Sequence, residues 1–180
     1  MTTSEGSPKL TRGAELVLET ASRLFYDHGI HAVGVDRVAA ESGVTKRTLY
    51  DRFGSKETLV LAYLRRREDR WRAVLDRQLD RHPKPGIERI LAVFDAAETF
   101  HPARSSKGCS AVNARAEEDP DPVGNAVAEE AIVQKAWMRK LFASLCGEAG
   151  FAEPEALADR LQILLDGAWS ASAPGRSQHR

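Results

Sequence analysis

Four cations, Lys46, Arg47, Arg52 and Lys56, crowd the stretch from Thr45 to Lys56, with Asp51 as its one anion. A surplus of that kind suits phosphate, and Arg or Lys can also donate hydrogen bonds to guanine edges in the major groove of a duplex. Thr45, Lys46, Arg47, Thr48, Tyr50, Arg52 and Lys56 are therefore the candidate DNA-contacting residues. Catalytic chemistry has far less to build on. The chain contains no GxSxG, HExxH, GxxxxGK[ST] or dinucleotide glycine fingerprint. His101 and Cys109 are the nearest thing to a nucleophile pair, and no third group is placed to orient them. His28 and His31 flank Gly29 without further ligands at metal spacing, and the acidic run around Glu117, Glu118, Asp119 and Asp121 lacks a glycine-framed cation loop. The expectation is a protein that is not an enzyme and carries no cofactor.

The cationic stretch needs elements to hold it. Val35 to Phe53 predicts two short helices joined by a turn at Ser42-Gly43-Val44, with Asp36 capping the first helix and Thr45 the second. Gly43 supplies the positive φ that a tight turn demands. Leu49 and Phe53, four residues apart, share the inner face of the second helix and leave Lys46, Arg47, Tyr50 and Arg52 pointing outward. In a helix-turn-helix, the first turns of that second helix enter the major groove. An earlier helix from Thr11 to Asp27 or His28 carries Ala14, Val17, Leu18, Ala21, Leu24 and Phe25 at helical spacing. With Val38, Leu49 and Phe53 it makes a three-helix scaffold for the reading helix.

The wording AAESGVTKRTLYDRFGSKETLVLAYL resembles the signature of the tetracycline-repressor (TetR) family of bacterial transcription regulators. Its recurrent marks stand here as Val44, Thr45, Lys46, Leu49-Tyr50, Phe53 and Ser55-Lys56-Glu57, within a match from about Glu15 to Tyr63. The resemblance implies an all-α fold: an N-terminal three-helix helix-turn-helix domain over 1–54, with a disordered arm over 1–10, joined by a long helix to a C-terminal effector-binding and dimerisation domain over 55–180. It further implies a homodimer on palindromic double-stranded DNA, repressing until a small-molecule effector binds. The run from Gly108 to Glu118 looks like the GC-x-x-VNA-x-x-E wording of one branch of the family, where it forms a helix beside the effector cavity.

Composition fits that picture. Charged residues make up 29% and hydrophobic ones 42% of 180 residues, as in ordinary globular chains. Net charge is zero, so affinity for nucleic acid must come from local clustering rather than a global field. No apolar run approaches a bilayer span and the N-terminus lacks a signal-type stretch, so the expected location is the cytoplasm. Cys109 and Cys146 are expected to be free thiols.

Further along, Ser55 is expected to cap a long helix from Lys56 to Leu79, with Arg65, Arg66, Arg67 and Arg70 on a solvated, salt-bridged face. His82-Pro83-Lys84-Pro85-Gly86 breaks the chain. Ile87 to Phe100 predicts a helix with Ile87, Ile90, Leu91, Phe94 and Ala97 on its buried face. A long helix from Asn125 to Gly147 follows, and Pro154 opens a last one whose stripe is Leu157, Leu161, Leu164, Leu165 and Ala168. The family resemblance implies that the last two helices form a four-helix dimer interface, with closure of the monomer core as the other reading of their stripes. Phe94, Phe100, Cys109, Val112, Trp137, Met138 and Phe142 are the candidate effector-pocket walls, giving an apolar or aromatic effector. The alternative function is a helical adaptor that binds protein instead of DNA.

Overall fold

The computed structural model describes residues 10–100, 107–118 and 124–171, and all regular structure among them is helical. Residues 1–9 of the N-terminal arm, His101, Asp119 and Asp121, about which the sequence also raised expectations, lie outside the described residues. The chain divides into a unit ending at Tyr63 and a unit beginning at Leu64.

In the first unit, α1 (Arg12–His28) starts where Thr11 accepts a hydrogen bond from the Ala14 N–H. Its buried residues are the predicted Ala14, Val17, Leu18, Ala21, Leu24 and Phe25, joined by Tyr26. Helices α2 (Val35–Ser42) and α3 (Lys46–Phe53) are joined at Gly43, whose φ of 68° lies in the left-handed region. Its N–H closes α2 by bonding back to Ala39 and Ala40. A side chain with a β-carbon would be strained there, which is why glycine occupies the position. Val38, Leu49 and Phe53 are buried with Ile30 and Val33, and the start of α4 (Lys56–Leu79) adds Leu59, Val60 and Tyr63. The Phe25 and Tyr63 rings meet at 5.8 Å.

One predicted cap differs. The residue preceding α2 is Gly34, which offers no side chain, and Asp36 stands inside the first turn. A carboxylate there still favours the positive end of the helix, but it is free to bond elsewhere.

The second unit comprises the remainder of α4 with α5 (Ile87–Phe100), α6 (Ser110–Glu117), α7 (Ala126–Glu148) and α8 (Pro154–Ala171). Arg89 of α5 donates to the carbonyls of Leu79 (3.3 Å) and His82 (2.8 Å), so a cation satisfies the carbonyl end of α4. Asn125 caps α7 by accepting from the Ala128 N–H. Trp71, Leu75, Val93, Phe142, Leu145, Leu165 and Trp169 lie in one apolar cluster.

Two predicted faces are rotated. On α5 the buried residues are Ile90, Ala92, Val93, Ala96 and Ala97, whereas Ile87 and Leu91 are exposed. Three alanines fill the inner face beside Ile90 and Val93, while Ile87 and Leu91 turn outward. On α8, Ala158, Leu165 and Trp169 face the core with Leu157 and Leu161 against it, while Leu164 and Ala168 point out beside Ile163. What reads in sequence as one stripe is two.

Candidate nucleic-acid interface and pocket

Helix α3 begins from a fixed cap. The Thr45 hydroxyl accepts from the Thr48 N–H at 3.1 Å and lies 2.9 Å from the Thr48 hydroxyl. This holds the first turn rigid, and burial of Leu49 and Phe53 fixes which way the helix is rolled. Lys46, Arg47, Tyr50 and Arg52 are accordingly exposed, with the Arg47 side chain at 91%. Lys56, part-buried, sits in the first turn of α4, after the Ser55 hydroxyl that accepts from the Thr58 N–H at 3.0 Å. The structure thus places Thr45, Lys46, Arg47 and Thr48 at the start of α3 and Lys56 at the start of α4, where N–H groups and cations together favour phosphate, with Tyr50 and Arg52 further along α3.

Counting charge along the sequence overstates the surplus. Lys46 Nζ lies 2.8 Å from Asp36 Oδ1 on α2, and Arg47 is 4.0 Å from Asp51 one turn on. The hydrogen bond and charge of Asp36 push the Lys46 ammonium above its ordinary pKa. Behind the reading surface, Glu41 accepts from Arg23 at 2.7 Å and Arg37 at 2.8 Å. These two guanidinium bonds, Arg23 first, hold its carboxyl below the usual range. The Glu41 bridge ties α1 to α2.

A pocket lies within the second unit. Trp71, Phe100, Met138 and Trp169 form its apolar wall, with both Phe100 (5.5 Å) and Trp169 (5.2 Å) edge-on to Trp71. Its polar side includes Glu68, Cys109, Gln134 and Lys135. The space out to the mouth is about 430 Å³, of which water centres reach only about 30 Å³. Since one water needs on the order of 10 to 15 Å³ on that measure, the space between these side chains has room for about two.

Among the predicted wall residues, Phe100, Cys109 and Met138 line this pocket. The others do not, for reasons of helical phase. Phe94 and Phe142 pack on each other at 6.0 Å in the apolar cluster, Trp137 lies 3.9 Å beneath the Arg72 guanidinium, and Val112 is exposed. Gln134, Lys135 and Met138 share one face of α7, and Trp137 is rotated off it by about 100°.

Sequence reasoning missed Gln134, only 6% exposed, although a polar residue within the periodic run Val127, Ala131, Met138 and Phe142 was a readable signal. It also placed Arg67 on a solvated face, whereas it borders the pocket together with Glu68. Burial raises the Glu68 pKa despite its 2.8 Å bond from Arg72. Lys135 is pulled down by burial, but the Cys109 sulfur and the Asp166 carboxylate outweigh that and leave it raised. Cys109 and Cys146 are both free thiols. Cys109 is only part-buried, and burial lifts the Cys146 thiol. Among the described residues no group of His, Cys, Asp and Glu is arranged to hold a metal, and no helix is long and apolar enough to cross a membrane.

Comparison with known proteins agrees with this geometry. The family model described as bacterial regulatory proteins, tetR family, matches residues 17–63. The uncharacterized HTH-type transcriptional regulator YxaF of Bacillus subtilis is 31% identical over 155 residues, covering 79% of this chain and 74% of its own length. The HTH-type transcriptional activator FasR of Mycolicibacterium smegmatis is 44% identical over 93 residues, which span 52% of this chain and only 42% of FasR. Among solved structures, the TetR-family regulator SCO4454 of Streptomyces coelicolor superposes with a TM-score of 0.81 at 32% identity, covering 91% of this chain and 85% of its own.

Proposed function

Because the chain belongs to the TetR family of DNA-binding transcriptional regulators, we propose that it works as a homodimeric, ligand-responsive repressor on a palindromic operator. The observation that carries the DNA-contact assignment is α3: capped at Thr45, anchored by Leu49 and Phe53, and presenting Lys46, Arg47, Thr48, Tyr50 and Arg52 outward or to its edge. Arg47 is the base reader in this reading, and Lys56 holds phosphate.

The dimer surface is assigned to the outer faces of α7 and α8. Ile132 and Val133 on α7 and Ile163 and Leu164 on α8 are exposed, the last two at 70% and 60%. Apolar side chains that protrude this far on two adjoining helices favour burial against a second copy. The pair is held as one platform by the Arg139–Asp159 and Lys135–Asp166 bridges. Two heads set one DNA turn apart, about 34 to 36 Å, then match a palindrome.

The pocket lined by Trp71, Phe100, Met138 and Trp169 supports an aromatic effector, with Gln134 and Lys135 as its polar partners. So small a space means that the effector enters by parting these side chains. A preference for the parted state of about 1 to 3 kcal/mol is enough to change operator occupancy. The site of action is the cytoplasm, where the DNA is. The test is to sequence the genomic fragments retained by the purified protein, then measure promoter output with and without its gene. Fragments sharing no palindrome, or output that falls on deletion, would refute the repressor reading.

A further inference from the structure

The ion pair between Asp36 and Lys46 links the first turns of α2 and α3, ten positions apart in sequence, at 2.8 Å. Asp36 does not cap its own helix, since Gly34 holds that position. Nor does stability account for the contact: the side chains are 77% and 51% exposed, and pairs so open to water add little. It does confine a lysine that would otherwise sweep freely. An ammonium has three N–H donors, so with one committed to Asp36 the others remain available to an acceptor at a fixed place.

We propose that Asp36 is a specificity-determining residue: by tethering Lys46 it makes that lysine a positioned donor to a base edge instead of a cation that follows any phosphate. On arbitrary duplex, where binding is almost wholly electrostatic, Lys46 has to leave Asp36 to reach phosphate, and Asp36 then faces phosphate with like charge. On a fitted site the tether persists and the lysine is already in place. Discrimination is the difference between the two affinities, so weakening the arbitrary complex sharpens it. The neighbouring Arg47–Asp51 contact, one turn apart on α3 itself and at 4.0 Å, imposes no such link between helices.

This inference rests on α3 being the surface that contacts DNA, and the experiment separates the two claims. The full-length chain is measured by fluorescence anisotropy, from about 50 to about 200 mM salt, on sheared heterogeneous duplex and on the tightest duplex selected by the wild type. Asp36→Asn, and Asp36→Ser as a second variant, should tighten heterogeneous duplex about two- to fivefold. The slope of log affinity against log salt should steepen by about 0.9 for each lysine released. Affinity for the selected duplex should stay level or fall; in a Lys46→Gln background Asp36→Asn should remove only a repelling charge, tightening both duplexes alike and leaving their ratio unchanged. Equal tightening on both duplexes with Lys46 present, an unchanged slope, or a change in the ratio of affinities that survives Lys46→Gln would overturn the tether. If Lys46→Gln and Arg47→Ala leave both affinities untouched, the α3 assignment falls and takes the tether with it. If those two weaken binding and the Asp36 variants still leave the ratio of affinities unchanged, the tether alone falls.

Discussion

At the scale of single residues, the exposed cations have separable roles. Arg47, nearly bare on α3, suits a base edge. Arg47→Ala should relax preference at one operator position by about 1 to 3 kcal/mol, read by competition among single-base operator variants. Lys56→Ala should instead weaken all sequences alike and flatten the salt slope by about one unit. In the second unit, Glu68 is a carboxyl whose pKa burial raises above 4.5. A folded-state pKa above the unfolded one contributes stability below the unfolded value, and that contribution is lost as pH rises through the folded value. Glu68→Gln should therefore gain on the wild type as pH goes from about 4 to about 7, measured by urea denaturation at each pH. A difference between the two that is flat with pH would contradict the burial account. Residue types disclosed the exposed cations of α3, but not their company. Asp36 came within bonding distance of Lys46 only once Gly43 folded α2 against α3.

At the scale of elements, helix starts and stops were the most legible feature because they are local chemistry. Thr11, Thr45 and Asn125 each accept from the N–H three residues on, and Gly43 supplies the turn that the chain needs after α2. Thr45→Ala should cost the fold about 0.5 to 2 kcal/mol by removing the α3 cap. Thermal unfolding would register this, and DNA affinity should fall along with it as the first turn frays; an unshifted transition would mean the cap is idle. Helix faces were less legible. A 3.6-residue period identifies an apolar stripe without saying how far round the helix the partner reaches. Hence Ile87 and Leu91 on α5, grouped by spacing with Ile90, Phe94 and Ala97, stand exposed, while Ala92 and Ala96 are buried.

At the scale of the whole molecule, the outward residues of α7 and α8 carry the prediction. Replacing Ile163 and Leu164 together with Glu should leave the folded monomer intact, because neither belongs to the core, while abolishing self-association. Sedimentation velocity checks this, and grip on a palindrome should drop by far more than on a half-site, since each head must then bind alone. A variant that still sediments as a dimer would move the interface elsewhere.

By itself the sequence determined the helical class, the glycine turn and the capped helix after it, its anchors Leu49 and Phe53, and the family, because all of these follow from spacing and residue type within a few turns. Tertiary structure alone decided the rest. Which cations are already paired, which face of α5 and α8 is inside, and that Gln134, Lys135 and Trp169 rather than Phe94, Trp137 and Phe142 meet at the pocket all depend on residues distant in the chain. Local spacing fixes directions around one helix axis. Only the packing of one axis on another determines what those directions meet.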